Sequence, residues 1–263
     1  MMAYMGRVTS DIASMPRGGP DASWLDRRLR TNRLQYLDRD DVDDLKRNVI
    51  HALDRRQSRR FFGAYGSFAR MALDEVSDIP SPKILELGAG LGGLSRKLLE
   101  YHPTAQVTVT DIEPMFVAEI AASDLGRHPR ATVREMDATA IDVQDGYYDL
   151  AVFALSLSGL PPALAARVFA EGTRAASKLL IIDVRRPPAP VHLVALAAAL
   201  PLTRLDLLAH DAFVTSLRAY SPSALRSLAW YADPAISVEC LRIRRFGTMA
   251  AVASHARQTC KSA

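Results

Sequence analysis

The feature that most constrains this chain is a hydrophobic run that ends in a cluster of glycines and then resumes at helical spacing: Ile84-Leu85-Glu86-Leu87-Gly88-Ala89-Gly90-Leu91-Gly92-Gly93-Leu94. Glycines at such a point remove the side chains that would keep a ligand away from the backbone. The helix that follows would offer unsatisfied N–H groups and the positive end of its dipole. A strand, a glycine turn and a helix are the opening of a βαβ unit, so a parallel sheet is the expected framework. The spacing of Gly88, Gly90 and Gly93 also satisfies the dinucleotide fingerprint, and a nicotinamide enzyme stays open on this motif alone.

The segments that follow repeat the same alternation. Lys83 to Gly88, Gln106 to Asp111, Ala131 to Asp137, Tyr148 to Leu155 and Lys178 to Val184 read as short β-rich runs. Helical spacing separates them, as in Gly93 to Tyr101 and Ala163 to Ala176. Parallel neighbours need a crossover of about a dozen or more residues, which these helices supply. Ser221 followed by Pro222 predicts a capped helix start, and Ile236 to Arg244 with Thr248 to Ser254 predicts a closing hairpin.

Acidic residues stand at the ends of these strands. Asp111 closes the second strand 19 residues beyond Gly92, where an ionised carboxylate, an acceptor only, suits two ribose hydroxyls. Asp137-Ala138 closes the third strand and puts a carboxylate at the edge where open α/β sheets bind ligands; it could accept from an adenine amine. Glu86, two residues before the first glycine, could orient the glycine turn or a cationic amine.

The 263 residues are 49% hydrophobic and 24% charged, as in ordinary globular proteins, and the length suits one domain with additions. The expected organisation is a loose N-terminal tail over 1–22, a helical cap over 23–76 and a catalytic domain over 77–263. A Pro- and Leu-rich insertion over 187–220 interrupts that domain and would roof the carboxyl edge of the sheet. The net charge of +4 neither demands nucleic acid nor excludes it. The arginines 55, 56, 59 and 60 read as a solvated helix face, with contact to an anionic ligand or partner as the alternative, and no nucleic acid is expected as a partner. Cys240 and Cys260 form neither a disulfide framework nor a zinc motif. No secretory pattern opens the chain and no run approaches the ~20 residues of a membrane span, so a cytoplasmic protein without membrane insertion is expected.

With the glycine turn, Asp111 and Asp137-Ala138 in this order, the sequence resembles the class I S-adenosylmethionine-dependent methyltransferases from about Phe61 to the C-terminus. The small-molecule branch is the nearer likeness, including actinobacterial members that act on hydroxylated or heteroaromatic compounds. The resemblance implies an α/β fold, a doubly wound Rossmann-like sheet of seven mostly parallel strands with one antiparallel strand. It implies S-adenosylmethionine as cofactor, with Glu86 to Gly92 at its methionine part, Asp111 at the ribose and Asp137-Ala138 at the adenine. The full cofactor set is Glu86, Gly88, Ala89, Gly90, Gly92, Asp111, Ile112, Asp137, Ala138 and Ala154. No metal is expected, because Asp183-Val184-Arg185-Arg186 stands where metal-dependent catechol methyltransferases carry an Asp-Asn pair.

One departure bears on mechanism. Many small-molecule members carry histidine just after the fourth strand, whereas this chain reads Leu155-Ser156-Leu157-Ser158-Gly159-Leu160-Pro161. If a protein base is needed, His192, His210, Asp211 and Asp206 of the insertion are weak candidates, and Tyr65 or Tyr220 could orient a substrate. The expected acceptor is a small apolar or aromatic molecule methylated at a hydroxyl oxygen. A nicotinamide oxidoreductase, a non-catalytic cofactor-binding protein and an RNA methyltransferase remain as alternatives, and a homodimer is left open.

Overall fold

The computed structural model describes residues 12–29, 43–58, 64–199, 207–241 and 247–255. Seven strands form one sheet: β1 (Lys83–Leu87), β2 (Gln106–Asp111), β3 (Ala131–Glu135), β4 (Tyr148–Ala154), β5 (Ala176–Val184), β6 (Ile236–Leu241) and β7 (Thr248–His255). Their order is β3-β2-β1-β4-β5-β7-β6, with β7 antiparallel to both of its neighbours and all other pairs parallel. The expected seven-stranded sheet with one antiparallel strand is what the chain forms. The strand order reverses between β1 and β4, both of which pair along their length, and this opens the crevice where such sheets hold ligands.

The period of two along each strand sorts the core into two layers. Leu85, Leu87, Ala151, Phe153, Leu179 and Ile181 face one side, packed with α6 (Pro162–Ala175) and α9 (Pro222–Ala232). Ile84, Val107, Val109, Val152, Leu180 and Ile182 face the other. There they meet α3 (Tyr65–Asp74), α4 (Gly93–Tyr101) and α5 (Pro114–Ala122). Strands buried on both faces need continuous rather than alternating hydrophobicity, which explains runs such as Lys178-Leu179-Leu180-Ile181-Ile182.

The N-terminal helical region contains α1 (Trp24–Arg28) and α2 (Asp43–Ser58) ahead of α3, and the insertion contains α7 (Ala189–Ala199) and α8 (Leu207–Arg218). Ser221 caps α9 as expected, its Oγ accepting the Ala224 N–H at 3.1 Å with Pro222 in the first turn.

The loose tail expected over 1–22 is corrected for residues 12–22. A 3-10 turn at Ile12–Ser14 precedes Met15, and Ile12 and Met15 are buried in the layer around α6 and α9. Ser221 Oγ donates to the Gly18 carbonyl at 2.6 Å and Ser221 N–H to the Arg17 carbonyl at 2.9 Å. Gly18 and Gly19 serve close approach here rather than looseness. A Cβ on Gly19, whose φ is +82°, would lie 2.6 Å from the Ala224 backbone nitrogen. Arg59, Arg60, Asp206 and Cys260 lie outside the described residues, as do the side chains of Arg56, His210 and Asp211.

Candidate functional site

The site begins at the β1 turn. Gly88, Gly90 and Gly92 have φ of +62°, +58° and +74°, a region that costs an L side chain about 1–2 kcal/mol. The Ala89 N–H donates to the Thr110 carbonyl at 2.9 Å and the Gly90 N–H to Asp111 Oδ2 at 2.8 Å. The turn is thereby sewn to the end of β2. Asp111 Oδ1 accepts the Glu113 N–H at 3.0 Å. The residue is only 6% exposed, and burial raises its pKa above the ordinary carboxylate range. Each oxygen of a carboxylate has a second acceptor position, so Asp111 keeps capacity for two further donors.

Glu86 is buried within β1. Ser95, in the first turn of α4, donates its hydroxyl to Glu86 Oε2, so the side chain ties strand to helix beneath the glycine turn. Burial pushes its pKa up to about 7, against the lowering effect of the Ser95 bonds.

Asp137 stands half-buried just beyond β3, its Oδ1 accepting the Thr139 N–H at 2.7 Å and the Thr139 hydroxyl at 2.9 Å. Ala138 lies beside it, half-buried, and Ile112 is 56% exposed next to Asp111. Exposed Ile112 next to the Asp111 carboxylate sets an apolar side chain beside a hydrogen-bond acceptor, a combination that a nucleoside could use. Ala154 ends β4 across the crevice.

The segment after β4 is pinned from several directions. Leu155 has a φ of +59°, the only left-handed non-glycine among the described residues, and its N–H reaches the Ile182 carbonyl at 2.7 Å. Such backbone persists only where its surroundings hold it. Ser156 follows against the glycine turn: a Cβ on Gly88 would lie 3.0 Å from Ser156 Oγ. The Ser158 N–H donates to Asp183 Oδ2 at 2.6 Å and its hydroxyl to Asp183 Oδ1 at 3.2 Å. Arg17 Nη1 reaches the Leu160 carbonyl at 2.8 Å, Arg218 the Gly159 carbonyl and the Tyr220 hydroxyl the Leu160 carbonyl.

Sequence reasoning missed Asp183 and Arg17 in this role. Asp183 is the last residue but one of β5, so the strand-end logic applied to Asp111 and Asp137 would have marked it. Arg17 is separated from its carbonyl partner by 143 residues, and no local signal announces it. Of the other expected side chains, Tyr65 packs against Gly93 with Asp54 beside its hydroxyl. Burial first and the Asp54 charge second raise its pKa. His192 is fully buried, with Nε2 2.7 Å from Ser216 Oγ, and burial lowers its pKa; it joins α7 to α8. His210 and Asp211 belong to α8. Tyr65 and His192 thus each have a structural partner, and the side chains of His210 and Asp211 lie outside the described residues.

Helix α2 lies over the glycine turn. A Cβ on Gly90 would lie 3.3 Å from Ile50 Cδ1, and His51 Nε2 meets Glu119 Oε1 of α5 at 2.9 Å. No group of three or more His, Cys, Asp or Glu that could hold a metal occurs among the described residues.

Comparison with known proteins agrees with this geometry. Residues 84–178 match the family described as a methyltransferase domain. The malonyl-[acyl-carrier protein] O-methyltransferase of Geobacter sulfurreducens is 28% identical over 135 residues, covering 46% of this chain and 49% of the relative. The demethylmenaquinone methyltransferase of Thermus thermophilus is 29% identical over 132 residues, covering 48% and 58%. The chain thus spans about half the length of the curated relatives it matches. The magnesium protoporphyrin IX methyltransferase of Synechocystis PCC 6803, solved with bound S-adenosylhomocysteine, superposes with a TM-score of 0.51 at 18% identity, over 88% of this chain and 92% of that one. That likeness is one of fold.

Proposed function

Since the chain carries a class I methyltransferase domain, we propose that it transfers a methyl group from S-adenosylmethionine to a hydroxyl oxygen of a small apolar or aromatic acceptor. The observation that carries this reading is the Asp111 carboxylate, which shapes the glycine turn through Gly90 and retains acceptor positions beside exposed Ile112. A ribose diol suits those acceptors, an adenine ring suits Ile112 and Asp137, and the glycine turn leaves backbone bare for the amino-acid end. The cofactor set is then Glu86, Gly88, Ala89, Gly90, Gly92, Asp111, Ile112, Asp137, Ala138 and Ala154. Oxygen as the accepting atom is supported by the name of one curated relative.

When bound, the cofactor supplies a methyl group on a sulfonium, ready for in-line displacement. The chain's contribution is alignment and exclusion of water. The left-handed turn at Leu155 and the Asp183 bonds to Ser158 fix the segment that borders the glycine turn. Two strand-end carboxylates would orient the nucleoside, and Ile50 of α2 covers the glycine turn. Without imidazole after β4, acceptors with an easily ionised hydroxyl are favoured, since an anion needs no base in the transition state.

The test is transfer of a radiolabelled methyl group to a panel of phenols, quinones and hydroxyquinolines. Labelled product from hydroxylated members supports the reading; label appearing only on an RNA pool contradicts it.

A further inference from the structure

We propose that α7 and α1 form a docking surface for an anionic lipid bilayer. This goes beyond methyl transfer and stands without it. Helix α7, Ala-Pro-Val-His-Leu-Val-Ala-Leu-Ala-Ala-Ala, has no charged residue, yet it lies on the outside of the protein. His192 and Leu196, one turn apart, are its buried stripe. Val191, Leu193 and Val194 are 60%, 46% and 71% exposed. At about 100° per residue these three span an arc of about 160°. A helix apolar all round belongs in an apolar environment. This one has its environment on one side only.

Trp24, the first residue of α1, is 70% exposed, with the Arg28 guanidinium 5.5 Å from its ring centre. The two apolar features share one corner of the fold. Arg186, three residues before α7, is buried and pairs with Asp26 of α1 at 2.9 Å; it also donates to the Leu29 carbonyl at 2.7 Å. Among the described side chains of 20–29 and 184–199, the exposed charges are Arg27, Arg28 and Arg185 against Asp21 alone.

An exposed tryptophan, an aliphatic helix face and surrounding arginines match the interfacial zone of a bilayer. Indole sits there at headgroup level, and guanidinium stems bury while their charges meet anionic headgroups. A helix face is convex, and a deformable lipid surface accommodates the exposed Val191, Leu193 and Val194 without a complementary groove. No described helix is long and apolar enough to cross a membrane, so the attachment is peripheral.

The test is flotation of the full chain with vesicles of phosphatidylcholine alone or mixed with phosphatidylglycerol, with tryptophan emission recorded in parallel. The protein should float with the mixed vesicles, less so as salt rises, and the emission should shift to the blue; Trp24→Phe should abolish the shift. Val191→Ser with Val194→Ser should weaken vesicle binding by about tenfold or more. Arg27→Gln and Arg28→Gln should each cost about fivefold on the mixed vesicles. Circular dichroism like the parent's should accompany all four variants. Failure to float with either vesicle, or parent-like flotation of the double valine variant, overturns the proposal. So does a chain that remains in solution as a dimer which the valine substitutions dissociate, because a second copy would then cover the helix.

Discussion

Gly90 donates its backbone N–H to Asp111 Oδ2 at 2.8 Å, so the acid at the end of β2 determines the shape of the turn after β1. Asp111 is itself buried, at 6% exposure. A carboxylate in this position shapes the turn that is proposed to hold the cofactor.

Asp111→Ala is therefore expected to have two effects. Affinity for S-adenosylhomocysteine should fall by about 1.5–3 kcal/mol, the range for hydrogen bonds to a charged group. Stability should fall by about 1–3 kcal/mol as the Gly90 and Glu113 N–H groups lose their acceptor. Calorimetric titration and urea unfolding measure the two separately. A folded variant with unchanged affinity removes Asp111 from the cofactor site.

Gly90→Val should abolish cofactor binding. A β-branched residue at a φ of +58° is strained, and its Cβ would press on Ile50 of α2 at 3.3 Å. The same titration, on protein whose circular dichroism matches the parent, reads the outcome. Normal binding by the folded variant contradicts the placement of the glycine turn.

Glu86→Gln should change how stability depends on pH. In the folded chain this carboxyl titrates at about 7 because it is buried, well above its unfolded value. Between the two values the native state holds a proton that the unfolded chain has released, so stability from this group declines as pH rises from about 4.5 to 7. The decline amounts to about 3 kcal/mol. Unfolding at pH 5 and pH 8 should show the parent losing more stability than the glutamine variant; an equal loss in both contradicts the buried acid.

Much of the sheet was legible because its signals are local. Periodicity and strand-end residues mark β2 at Gln106–Asp111 and α4 at Gly93–Tyr101 without adjustment, and β7 runs one residue beyond the expected Ser254. What was illegible depends on partners distant in sequence. Pro16, Gly18 and Gly19 look like a tail until Ser221 and Ser223 are seen bonded to the Gly18 carbonyl. Arg186 looks like a loop residue until Asp26 is found 160 positions away. Neither pairing leaves a local pattern, because burial of an arginine is set by tertiary contacts and not by its neighbours in the chain.

His192→Ala should lower stability more than rate. The imidazole is buried between α7 and α8 against Ser216, so its loss leaves a cavity and an unpaired hydroxyl. Turnover on phenols of graded acidity, at saturating cofactor, should fall by less than the 10²–10⁴-fold typical of a lost base, and the same holds for His210→Ala. A loss of about 10³-fold in either variant, with fold and cofactor affinity intact, identifies that histidine as the base.

The central claim, that the β1 turn and Asp111 form a cradle for S-adenosylmethionine, is tested most directly by calorimetric titration of the full chain with S-adenosylhomocysteine and, separately, with NADH. The account predicts saturable one-to-one binding of S-adenosylhomocysteine and no heat from NADH. Saturable binding of NADH with none of S-adenosylhomocysteine would contradict it and return the glycine turn to the nicotinamide reading that its spacing also allows.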